Sequence, residues 1–167
     1  MLRQPVSRQH YSAESFHLQD SLGYLIKRTQ RLMQDRIESV FASQGITFQH
    51  WVVLMHLRDG LATTTVGLCE EIWHDSGAMT RLIDQLEERG FIARRRQAVD
   101  RRIVDLELTT AGRKMVESLI PLTVDTLNSA LSGFTKAEVQ QMQGLLRKII
   151  TRVGELNVEA EAAPVKD

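Results

Sequence analysis

Cys69 is the only cysteine in this sequence, which excludes a disulfide within the chain and suits a reducing cytoplasm. No window approaches about eighteen uncharged apolar residues, so nothing reads as a membrane span. The opening residues, MLRQPVSRQHYSAESFH, lack the apolar core of a secretory signal. Net charge is missing too: 21 basic residues balance 21 acidic ones, so global electrostatics favour no nucleic-acid partner. There is no Gly-rich phosphate loop, no clustered metal-ligand set, and no Ser/His/Asp or Cys/His arrangement. The sequence therefore argues against an enzyme and calls for neither metal nor cofactor. His50 and His56 fall on different sides of a helix, and the Glu70/His74 spacing fits capping or solvent contact better than metal binding.

What is present is apolar periodicity. Hydrophobic residues make up 43% of 167, enough for one domain, or one compact lobe plus a second. After a polar lead-in at 1–14, Leu18, Leu22, Leu25, Ile26, Met33, Ile37, Val40 and Phe41 predict a helix from Ser15 to about Phe41, ended by Gly45. Thr47 caps a second helix, 48 to about 58, holding Trp51, Val52, Leu54, Met55 and Leu57, and Asp59-Gly60 turns the chain. A short helix from about Thr65 to Trp73 follows. Further on, Thr109 or Thr110 caps a helix to about Leu131, in which Pro121 predicts a kink or local break. Thr135 and Glu138 form a capping box opening a last helix. Its Val139, Met142, Leu146, Ile149, Val153 and Leu156 keep a 3-4 spacing, a seam that wants another helix. Residues 157–167 read as a frayed acidic tail.

The stretch from Asp75 to Gly112 carries the local charge. Asp75 and Ser76 are N-cap types, and Met79, Leu82, Ile83 and Leu86 set one apolar stripe before Gly90 closes the helix. The opposite face presents Gly77, Thr80, Arg81, Asp84, Gln85 and Glu88, small or hydroxylic near the start, where a backbone can approach phosphates and base edges. Short helix, turn, helix is the helix-turn-helix plan. Arg94, Arg95, Arg96, Arg101 and Arg102 then fall within nine residues against one aspartate, Asp100. Alternation in Val104, Leu106 and Leu108 predicts the second strand of a hairpin with its tip at about 97–101. Arginine at such a tip suits a narrow minor groove. A solvated charged hairpin would explain the charge, but not its place directly after the helix.

The run DRRIVDLELTTAG, Asp100 to Gly112, resembles the wing signature of the MarR family of winged helix-turn-helix regulators: Asp-x-Arg, a strand, Leu-Thr and a Gly. SGAMTRLIDQLEERGFI, Ser76 to Ile92, resembles that family's recognition helix and its exit. The fold expected is mainly α with a small β-hairpin wing. The winged helix-turn-helix lobe would occupy 46–109, and the dimerisation helices 15–45 and 110–156. The resemblance implies a cytoplasmic, homodimeric regulator of transcription, with double-stranded DNA carrying an inverted repeat as its partner.

Ser76, Gly77, Ala78, Thr80, Arg81 and Asp84 would face bases or phosphates, with Arg81 the choice for guanine or phosphate. Arg102 matches the family's groove-entering arginine, Asp100 the acid that holds it, and Arg101 the variable position. Arg94 and Arg96 would serve phosphates, while Arg95 equally suits a salt bridge within the fold. The family also implies a small aromatic acid or phenol that releases DNA from a cleft below the dimerisation helices. His17, Ser21, Tyr24, Trp51 and Met55 would line that cleft, Trp51 and Met55 being equally at home in a core. Cys69, beside Glu70 and Glu71, reads as a buried structural thiol rather than a redox sensor. The competing reading is a winged-helix module that docks its basic hairpin on an acidic protein. If the wing assignment holds, Arg102→Ala weakens operator binding by about 1–3 kcal/mol; unchanged affinity in a folded variant, measured by gel shift, would sink it.

Overall fold

The computed structural model describes residues 10–72, 75–97 and 103–162. Helix α1 spans Leu22–Phe41, beginning seven residues after the expected Ser15. A 3-10 turn at Leu18–Asp20 precedes it. The Ser21 hydroxyl donates to the Leu18 carbonyl at 2.7 Å and accepts from the Tyr24 N–H at 3.4 Å, so it ends the turn and caps the helix. Periodicity misses this break, because Leu18 stands four residues before Leu22 whether or not helix lies between them.

A 3-10 turn, Ala42–Gln44, leads from α1 to Gly45 at φ 64°. Helix α2, Phe48–Asp59, starts on Thr47 as expected; α3, Thr65–Ile72, and α4, Ser76–Glu88, follow. Gly90, at φ 71°, ends α4 in a Schellman turn: its N–H donates to the Glu87 carbonyl at 2.8 Å, and the Phe91 N–H to the Leu86 carbonyl at 2.9 Å. Strand β1, Ile92–Arg96, then pairs antiparallel with β2, Val104–Leu108, in a register running from Ile92↔Leu108 to Arg96↔Val104. The Leu106 N–H donates to the Thr63 carbonyl at 2.7 Å, tying the hairpin to the turn before α3.

Helix α5, Thr110–Ala130, is capped by Thr109, whose hydroxyl accepts from the Gly112 N–H at 3.0 Å and donates to the Gly90 carbonyl at 2.6 Å. The chain therefore leaves the hairpin by crossing back over the end of α4. A Cβ on Gly112 would stand 1.9 Å from the Phe91 carbonyl oxygen, so this crossing admits only glycine. Pro121 does not break α5, contrary to the local break that was one of two expectations. Buried Val116, Leu119, Thr123 and Thr126 hold the helix on both sides of it. The two threonine hydroxyls donate to the carbonyls four residues back, so burying them leaves no donor unpaired.

The chain divides into two units between Thr126 and Leu127. The core lies in the first unit, built on Phe41, Leu54, Leu68, Met79, Ile83, Leu86, Ile92, Leu106 and Leu119. The second unit holds α6, Lys136–Ala162, opened by the expected capping box. The Thr135 N–H and hydroxyl hold the Glu138 carboxyl below its usual value. Helix α6 continues past Leu156, so residues 157–162 are helical rather than frayed tail. Alanine and glutamate there are good helix formers, and Arg152 pairs with Glu155 and Glu159. Met142, Leu145, Leu146, Ile150, Val153 and Leu156 all lie exposed along it.

Gly112→Ala forces Cβ into backbone, and the crossing must open. A loss of about 3 kcal/mol is expected, measured as the shift in urea midpoint; an unmoved midpoint would refute the crossing.

Candidate nucleic-acid interface

Helix α4 is seated by Met79, Ile83 and Leu86, each without exposure. Ser76, Gly77, Thr80 and Arg81 are consequently exposed on its first two turns. The Asp75 carboxylate accepts from the Ala78 N–H at 3.0 Å, and Ala78 is half-buried. That carboxylate takes up one of the N–H groups at the start of the helix. The Thr80 hydroxyl donates to the Ser76 carbonyl at 2.8 Å and keeps its lone pairs outward.

The arginines of β1 divide by strand alternation. Arg94 faces α4 and pairs with both Asp84, at 2.6 Å, and Glu87. The Asp84 hydrogen bond, aided by Glu87, holds the Arg94 guanidinium above its ordinary pKa; partial burial works against that. Asp84 and Arg94, both expected to meet DNA, pair with each other and tie the wing to the helix before it. Arg95 makes the internal salt bridge anticipated as one of its two uses, to Glu107 at 2.7 Å. Arg96 is exposed, and Gln97 donates to Asp105 at 2.9 Å. Asp100, Arg101 and Arg102 lie outside the described residues, as does His74.

Sequence reasoning missed a second pair of ties on α4. The His50 ring Nε2 stands 2.9 Å from Gln85 Oε1, and Arg89 donates to the Gly45 carbonyl at 2.7 Å while lying over the Phe91 ring. Burial is the main force keeping His50 below the ordinary histidine pKa; the Gln85 bond opposes it and the Arg89 charge adds to it. The signal was the Thr47-x-x-His50 spacing, which places a ring acceptor where a capping box wants one.

The residues expected to line a ligand cleft lie as follows. Ser21 caps α1, Trp51 is buried edge-on against Phe41 with centroids 5.6 Å apart, and the Tyr24 hydroxyl accepts from Arg28. His17 is exposed and Met55 half-buried. In the second unit a concavity of about 310 Å³ is lined by Asn128, Leu131, Phe134, Lys136, Val139, Gln140 and Gln143, none of them anticipated. Cys69 is half-buried rather than buried, since it lies on the flank of α3 beside Leu68. Among the described residues, no group of three or more His, Cys, Asp or Glu side chains is placed to hold a metal.

Residues 44–103, which run from the turn before α2 through β1 to the start of β2, match the model of the MarR family. HTH-type transcriptional regulator SarZ of Staphylococcus epidermidis is 24% identical over 146 residues, 87% of this chain and 97% of that protein. Over residues 44–103 the chain resembles the MarR family. Two solved structures share its fold. A point mutant of MarR from E. coli, complexed with operator DNA, is 29% identical with a TM-score of 0.70, covering 77% of this chain and 92% of that one. BpsR of Bordetella bronchiseptica, whose DNA binding is regulated by 6-hydroxynicotinic acid, is 28% identical with a TM-score of 0.71, covering 80% and 96%.

The Arg94 clamp is a partly exposed ion-pair network, so Arg94→Ala should lower stability by no more than about 1 kcal/mol. A loss several times larger in urea unfolding would show that Arg94 carries packing as well as charge.

Proposed function

We propose that this chain is a sequence-specific DNA-binding transcriptional regulator, a homodimeric repressor that a small aromatic acid or phenol releases from an inverted-repeat operator. The observation that carries this is the exposed start of α4, with Arg81 on it, clamped through Arg94 to an arginine-rich hairpin. Ser76, Gly77, Thr80 and Arg81 read the major groove, and Ala78 adds apolar contact from its half-buried position. Arg96 serves phosphate. Arg102, oriented by Asp100 and flanked by Arg101, enters the minor groove. Asp84 and Arg94 act by fixing the angle between helix and wing.

A second copy accounts for the apolar faces that one chain leaves open. Leu22, Leu25, Ile26 and Leu32 on α1 are exposed, as is the stripe on α6. Among its described side chains this 27-residue helix has none buried, and most helical stability comes from packing an apolar face. Two-fold pairing would set the reading helices about 34 Å apart, in successive major grooves. The effector class is supported by BpsR, whose regulator is itself an aromatic acid. No described helix is long and apolar enough to cross a membrane, in keeping with work on DNA in the cytoplasm.

The test is a gel shift of the purified protein on DNA flanking its own gene, with and without aromatic carboxylates. The expected result is a shift that resists mixed competitor DNA and dissolves with one compound. Arg81→Ala should cost about 1–3 kcal/mol and relax sequence preference, Arg96→Ala should reduce the slope of log K against log salt by about one, and Arg94→Ala should lower affinity and leave the slope alone. Failure to enrich any sequence from a random pool would favour the protein-docking module instead.

A further inference from the structure

Capping boxes place Glu or Gln three residues after the cap, because that side chain must accept from the cap residue's own N–H. In α2 the position holds a histidine. The Thr47 N–H donates to His50 Nδ1 at 3.2 Å, and the His50 N–H donates to Thr47 Oγ1 at 3.2 Å. With Nδ1 accepting, the ring proton must sit on Nε2, where it meets Gln85 Oε1 at 2.9 Å. One imidazole thus joins the N-terminus of α2 to the outer face of α4, one turn beyond Arg81. His50 is only 6% exposed, so its ring cannot swing into solvent without opening that joint.

We infer that His50 is a positioning residue for the reading helix: its neutral Nε2–H tautomer holds Gln85 in place, and protonation of the ring releases the joint and weakens operator binding. This rests on the DNA-binding reading above. The added proton would occupy Nδ1 and point at the Thr47 N–H, donor against donor, so either the ring leaves the cap or the cap opens. The charged groups at this joint are Arg89 from α4 and Glu38 from α1. Arg89 repels an imidazolium. The Glu38 carboxylate is engaged by the Phe48 N–H, at 3.3 Å. On α2 itself, His56 binds the Val52 carbonyl farther along the helix.

Burial and Arg89 keep the ring neutral at pH 7. The sign follows from linkage. A histidine whose folded pKa lies below its unfolded value contributes fully above about 6.5, and its contribution is lost as pH falls. The joint is therefore closed at neutral pH and opens in acid. DNA phosphates act the other way on every nearby base, so the effect must be read against a variant that cannot titrate at this position.

Operator affinity is measured at fixed ionic strength from pH 8 to 5.5 for wild type, His50→Gln and His50→Ala. Glutamine supplies both the acceptor for Thr47 and a donor for Gln85 without titrating. Wild type and His50→Gln should agree within about twofold at pH 8. Wild type should then lose on the order of fivefold to tenfold more affinity than His50→Gln by pH 5.5, a helix cap's worth. His50→Ala should bind weakly at every pH; if it fails to fold, the comparison of the other two still decides. The other histidines are present in all variants, so their titration cancels. Parallel profiles for wild type and His50→Gln would overturn the role of His50 alone. Absence of selective binding by either at pH 8 would overturn the DNA reading, and this role with it.

Discussion

Burial of one side of α4 is the constraint on which the rest depends. Met79, Ile83 and Leu86 are wholly enclosed, and each such side chain is worth about 1.5–3 kcal/mol relative to exposure, as an upper estimate. No polar tie on this helix approaches that. An exposed ion pair contributes under about 1 kcal/mol, and a neutral hydrogen bond about the same. The apolar stripe therefore decides which face of α4 meets solvent. The polar groups only adjust how that face is held.

Adjustment at that scale still matters for reading DNA, because base-edge hydrogen bonds fail with small errors in angle. Three elements grip α4 at separate points. Arg94 reaches from β1 to Asp84 and Glu87, His50 meets Gln85 from α2, and Arg89 reaches to the Gly45 carbonyl after α1. All three ties act on its second half, while the Asp75 cap orders the first turn from within. Among the described residues, the exposed Ser76 and Arg81 side chains at the start make no hydrogen bond or ion pair to another element.

Most of this fold was legible in the sequence because its signals are local. Thr47, Asp75 and Thr135 start helices where their side chains reach a backbone N–H three residues on, and Gly45, Gly60 and Gly90 end elements at positive φ. Two elements run past a local signal. Leu18 keeps helical spacing across a turn that only the Ser21 hydroxyl reveals, and α5 continues through Pro121 because burial on both sides sustains it. The candidate site was legible in position but not in partnership. That Arg94 folds onto Asp84 depends on strand alternation meeting a helix turn ten residues earlier, which charge counting cannot see. Glycine at 112 was readable as motif, but the reason for it, contact with the Phe91 carbonyl, is a tertiary one.

The segment between α1 and α2 joins these observations. Gly45 receives Arg89, Thr47 receives and caps with His50, and Phe48 donates to Glu38 of α1. Two of the three grips on α4 therefore meet in a stretch of four residues. Trp51, against Phe41, spans the same corner from the core side. A shift of α1 or Trp51 need not touch α4 to affect it. Moving this corner by a fraction of an ångström stretches the His50 and Arg89 bonds together while the apolar stripe stays buried. The angle of α4 can then change without cost to the fold, because the forces that seat α4 and the forces that aim it are carried by different residues.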